Sequence, residues 1–132
     1  MKKLGILFCL LSFALSAFAQ FDKWEIYRAY RTTEMVEETN NYVFAVADSS
    51  LYVYGKEDQS LTTYSRKNGL SDNEIKALRY HASSHTLVIA YNNGNIDLWG
   101  EDGIYNLPYL KNNTSIQNKS IHDIYFSGDR AY

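Results

Sequence analysis

The stretch "AYNNGNIDLWGEDGIYNLP" (residues 90–108) decides the fold. Apolar and polar residues alternate along it, and two turn signals, Asn93-Gly94 and Asp102-Gly103, interrupt it at short spacing. Alternation with a period of two describes strands whose successive side chains point to opposite faces. Asn-Gly and Asp-Gly supply the positive φ that tight hairpin turns require. The stretch therefore reads as short strands that reverse direction again and again.

The same pattern recurs outward from it. "YVFAVA" (42–47), "LYVYG" (51–55), "LTTYS" (61–65), "IKALRY" (75–80), "TLVIAY" (86–91), "NIDLW" (95–99), "IYNLP" (104–108) and "IHDIYF" (121–126) all read as strands. Short loops rich in Asp, Asn, Ser and Gly separate most of them, as in hairpins. No stretch after residue 20 keeps a helical period.

The segments also repeat in order. "AVADSSLYVYGKEDQSLTTYS" lines up with "IAYNNGNIDLWGEDGIYNLP", and a longer loop follows each copy. A strand beginning with Ile opens the next unit at Ile75 and again at Ile121, 46 residues later. Four-stranded units of about 40–50 residues are the mark of a β-propeller blade. "TLVIAY" is apolar on both faces, which suits a strand packed between two blades. The fold class is all-β: a β-propeller fragment of about two blades plus the start of a third, with a β-sandwich as the alternative. The expected blades are residues 33–66, 75–108 and an incomplete 121–132. The chain is thus expected to be an amino-terminal piece of a longer protein, truncated in mid-blade.

Residues 1–19 read as a signal peptide. Lys2 and Lys3 precede an apolar run, and Ala17-Phe18-Ala19 is a small-x-small cleavage signal before Gln20. The run is shorter than the ~20 residues of a membrane span. The lone cysteine, Cys9, sits inside the run rather than at the cleavage point, so lipidation is not expected, and residues 20–132 have no disulfide, thiol nucleophile or thiolate metal site. Export without disulfides favours a bacterial protein, and the Asn-x-Ser/Thr patterns at Asn112, Asn113 and Asn118 read as a polar loop. Without Lys2 and Lys3 the 13 basic residues fall to 11 against 15 acidic ones. That balance lacks the basic patch of a nucleic-acid binder.

Groups that could carry chemistry are few. His81 and His85 have the spacing of two metal ligands on a helix, but the intervening "ASS" favours a hairpin tip, and a third ligand is missing. His122 reads as a strand residue. Asp97, Glu101 and Asp102 could in principle supply a glycosidase pair. Asp97, however, falls within a strand and the other two in a turn. Ser49, Ser50, Ser71 and Ser83 lack a nucleophile-elbow context, and no glycine-rich phosphate loop is present. Tyr27, Tyr30, Tyr52, Tyr54, Trp99 and Tyr105 read first as interblade packing and second as surfaces for stacking on sugars. No catalytic, cofactor or metal residue is expected, and the ligand-binding residues are not identified.

"NGLSD" (68–72), "IAYNNGNIDL" (89–98), "KSIHDIYF" (119–126) and the early "WEIYRAY" (24–30) together resemble the amino-terminal β-propeller of PorZ-type proteins. These are cell-surface components of the type IX secretion system of Bacteroidetes. The resemblance spans essentially all of residues 20–132. Ser49-Ser50 departs from it where an Asn-Gly turn is usual, and His122 where Asn is. It implies two propellers followed by a carboxy-terminal β-sandwich. It also implies a non-enzymatic role in the attachment complex, supporting a separate sortase in anchoring cargo and binding anionic lipopolysaccharide. Its expected location is extracytoplasmic, from periplasm to cell surface. "NGLSD" is also found in the periplasmic sensor propellers of hybrid two-component regulators, so a glycan-binding sensor is the alternative function. An enzyme built on a propeller is the third.

Overall fold

The computed structural model describes residues 33–132. The expected signal peptide, its expected cleavage before Gln20, and Tyr27 and Tyr30 lie outside the described residues. Two four-stranded antiparallel sheets follow one another, each a simple up-and-down meander. The first contains β1 (Thr33–Glu38), β2 (Tyr42–Ala47), β3 (Ser50–Gly55) and β4 (Leu61–Tyr64). The second contains β5 (Ile75–His81), β6 (Thr86–Tyr91), β7 (Ile96–Gly100) and β8 (Gly103–Leu107). A one-turn helix, α1 (Tyr109–Asn112), precedes a long loop. The chain then forms a two-stranded hairpin of β9 (Phe126–Ser127) and β10 (Arg130–Ala131).

Seven of the eight strands read from sequence are present within a residue or so at each end. The eighth differs. Residues 121–125 are not a strand; β9 begins at Phe126. A ladder needs a partner, and the facing strand Arg130–Ala131 reaches back only to Phe126, with Tyr125 and Tyr132 adding one further pair of backbone hydrogen bonds. His122 accordingly sits on an exposed loop. One strand of the two four-stranded sheets was not read: β1, whose register shifts between Thr33 and Met35. A bulge of that kind breaks the period-two pattern.

The two sheets pack face to face. Phe44, Val46, Leu51 and Val53 of the first meet Leu78, Leu87, Ile89 and Tyr91 of the second, with Leu70 of the connecting segment closing one end. All are buried. The register explains why these residues share a face: Phe44 pairs with Val53 and Val46 with Leu51, so the four side chains project together. The first strands of the two sheets, β1 and β5, lie side by side. Glu37 ties them by accepting the Tyr80 backbone N–H (2.9 Å) and lying 3.7 Å from Arg79.

The opposite face of the second sheet carries Ala77 and Ala90, and Ile124 is buried against both. Arg79 Nε donates to the Ile124 carbonyl (3.0 Å) and its terminal nitrogen to Asp123 (3.2 Å). The third unit is thus docked on the second as the second is on the first. The fold is all-β and antiparallel, and the sheets stand side by side without closing. Among the described residues, no helix is long and apolar enough to cross a membrane.

Candidate functional site

The quoted stretch and "NGLSD" turn out to be two halves of one device. The segment linking the sheets folds over the β6–β7 turn. Asp97 of β7 is fully buried; its Oδ2 accepts the Tyr91 phenol (2.6 Å) and the Ser71 backbone N–H (2.8 Å), and its Oδ1 accepts Asn106 Nδ2 (2.8 Å). Asn106 Nδ2 also donates to Asn95 Oδ1 (2.9 Å). Asp72 Oδ2 in turn accepts Asn93 Nδ2 (2.6 Å), Asn95 Nδ2 (3.4 Å) and the Lys111 ammonium (2.7 Å). Burial pushes the Asp72 carboxyl up, but Lys111, Asn93 and the Asn73 N–H outweigh it and hold the group down to about 2. Tyr91 is pushed up, first by burial and then by its bond to Asp97.

Every oxygen of the two carboxylates that takes part is matched by a donor, so the network holds the link and the turn together rather than presenting a reactive group. Gly94 completes it. Its φ is +79°, and a Cβ there would stand 2.8 Å from Lys119 Cβ and 3.0 Å from the Lys119 carbonyl. Only glycine lets the loop after α1 lie this close to the turn.

The carboxylates considered from sequence are therefore not brought together. Asp97 is interior, while Glu101 and Asp102 sit on the exposed β7–β8 turn. His81 and His85 flank a short turn at residues 82–84, at the tip of the β5–β6 hairpin. Both ring nitrogens of His81 are engaged: Nε2 donates to the Gly128 carbonyl (3.1 Å), and Nδ1 accepts the Ser84 hydroxyl (2.8 Å). Its ring also packs on Phe126 at 4.5 Å. His81 thus clasps the β9–β10 hairpin. His85 is exposed, 3.8 Å from Glu101. Among the described residues no three His, Cys, Asp or Glu side chains gather as metal ligands.

At the other end of the sheet interface, the apolar packing opens into a cleft of about 370 Å³. Tyr42 and Tyr64 enter it from the first sheet and Trp99 from the second. Tyr42 and Trp99 meet edge to face, with centroids 5.4 Å apart, and Trp99 meets Phe44 in the same way at 5.2 Å. The rim is polar: Asn41 from the β1–β2 turn, Thr62 of β4, and Glu57, Asp58 and Ser60 from the β3–β4 loop. Asp58 Oδ1 accepts the Ser60 N–H (3.1 Å) and hydroxyl (2.8 Å), contacts that lower its pKa and shape the loop. Gly55 leaves room for this fold, since a Cβ there would run into the Asp58 carboxylate and stand 2.9 Å from Ser60 Oγ.

Of the described aromatic residues read from sequence, Trp99 alone lines this cleft. Tyr52 is buried on the opposite face of the first sheet, where Tyr54 is more exposed. Tyr105 lies on the far face of the second sheet, in a separate hollow with His85, Glu101 and Asp102. Tyr42 and Tyr64 were missed, because nothing local distinguishes them from other strand tyrosines.

Comparison with known proteins agrees with this architecture. Residues 43–132 match the family model of the PorZ N-terminal β-propeller domain of the type IX secretion system. The chain is 39% identical to the solved structure of PorZ from Porphyromonas gingivalis, described as an essential bacterial surface component of that system, with a TM-score of 0.69. The match covers 76% of this chain and 14% of that one. No curated protein matches the chain. With two meander sheets packed as neighbouring blades and a family match over most of its length, the chain belongs to the family of PorZ amino-terminal β-propeller domains.

Proposed function

We propose that the protein is a non-enzymatic, extracytoplasmic component of the type IX secretion attachment complex. In this role it supports the sortase-dependent anchoring of exported cargo and binds anionic lipopolysaccharide. The observation that carries the reading is the family match over residues 43–132 together with 39% identity to a PorZ. The engagement of Asp97, Asp72 and His81 in packing contacts supports a role in binding and assembly rather than in catalysis.

Deleting the gene in the bacterium that encodes it tests this. Cargo proteins should then be released or retained without their lipopolysaccharide anchor, and the intact gene should restore attachment. Normal cargo attachment in the deletion strain would overturn the proposal. If secretion is intact and a transcriptional response to a glycan is lost instead, the alternative reading as a sensor propeller replaces it.

A further inference from the structure

We infer that the cleft between the first two blades, walled by Tyr42 and Trp99, is a binding site for a neutral saccharide. Four observations lead there. First, the β1–β2 turn, β2, β3, β4 and the β3–β4 loop of the first sheet form the cleft, and Trp99 lines it from the second sheet. Second, its volume of about 370 Å³ lies within the range of small-ligand sites, roughly 300–1,000 Å³.

Third, the wall and the rim differ in chemistry. The rings of Tyr42 and Trp99 are fixed at 79° to each other by their mutual contact and by Phe44 behind them. Rings held this way offer flat apolar surface at little entropic cost. The C–H face of a pyranose fits such a surface. The hydroxyls around a pyranose need donors and acceptors at its edge, and Asn41 and Thr62 present side chains that make no hydrogen bond among the described residues.

Fourth, the charge selects the ligand. Among the described residues, Glu57 and Asp58 are the charged side chains of the rim. Two carboxylates repel a phosphate or uronate but accept hydrogen bonds from sugar hydroxyls. The anionic groups of a lipopolysaccharide are therefore excluded here, and an uncharged glycan segment is favoured. The inference stands on the cleft alone and does not depend on the secretion role.

Calorimetric titration of the full-length purified protein tests it, with mannohexaose, cellohexaose and chitohexaose as neutral probes and hyaluronate hexasaccharide as the anionic one. At least one neutral probe should bind with a Kd below about 1 mM. Tyr42→Ala and Asn41→Ala should each weaken that binding about tenfold or more, and the hyaluronate probe should not bind. Asn41 is exposed on a turn, so its replacement leaves the fold intact. The inference is overturned if no neutral probe binds below about 1 mM. It is also overturned if both variants bind like the wild type, or if the hyaluronate probe binds as well as the neutral ones. None of these results bears on the deletion phenotype, so the two readings fail independently.

Discussion

Tyr91 donates its phenol proton to Asp97 across 2.6 Å, and both side chains are sealed from solvent. The carboxylate keeps two further partners, Ser71 N–H and Asn106 Nδ2, so removing the phenol leaves it with one bond fewer. A hydrogen bond to a charged group contributes about 1.5–3 kcal/mol. Tyr91→Phe should destabilise the protein by about that amount while keeping its ring packing, read as a lower denaturant midpoint at unchanged slope. An unchanged midpoint would mean that the bond contributes nothing to folding.

Asp72 contributes to the acid limb of stability. Its folded value of about 2 lies below the value of roughly 3.9 in an unfolded chain. A depressed carboxylate stabilises the fold fully above the unfolded value and loses that contribution as pH falls through the folded value. The loss should run from about pH 4 down to about pH 2. Melting curves of the wild type and Asp72→Asn should therefore converge over that window, with the variant the flatter of the two. Parallel curves would show that the Lys111 contact does not hold the Asp72 proton off.

The sequence made the blades visible and left the cleft hidden, for a physical reason. A strand such as Thr86–Tyr91 announces itself because burial on both faces demands a run of apolar residues. Asn93-Gly94 announces its turn because Gly94 needs a positive φ. Thr33–Glu38 does neither, since Val36 is exposed while Glu37 turns inward, so polarity does not alternate with burial, and its three glutamates resemble a loop. Tyr42 and Trp99 are far apart in the chain and meet only when two sheets pack. Asp97 was readable as a strand residue, but its burial depends on Ser71, which arrives from the preceding connection.

The β2–β3 turn is strained by its side chains. Its two central residues are Asp48 and Ser49, not Ser49 and Ser50, and both lie in the left-handed region with φ of 49° and 57°. Such a two-residue turn matches the twist of the flanking strands but favours Asn-Gly. An L-residue costs about 1–2 kcal/mol there, partly offset in glycine by its greater chain entropy. Ser49→Gly should therefore stabilise the protein by about 0.5–1 kcal/mol, raising the melting temperature by a few degrees. A lower melting temperature would show that the Ser49 side chain contributes more than its backbone costs.

Ile124 decides whether the third unit stays docked. Its side chain is 5% exposed and rests on Ala77 and Ala90, whose small size makes the seat. Ile124→Ala removes that contact and leaves a void, at a cost of about 2–4 kcal/mol. Arg79→Ala removes the bonds to the Ile124 carbonyl and to Asp123 without opening the apolar seat. Hydrogen exchange separates local from global effects. The Tyr125 and Tyr132 amides, which bond to each other's carbonyls at 2.9 and 2.8 Å, report on the hairpin. The β2 and β3 amides report on the first sheet. Both variants should speed exchange at Tyr125 and Tyr132, Ile124→Ala the more, with β2 and β3 unchanged. If exchange rises equally in the first sheet, the three units unfold together and the seat is part of one cooperative core. If exchange at Tyr125 and Tyr132 does not change, the hairpin is held by His81 and Phe126 rather than by Ile124.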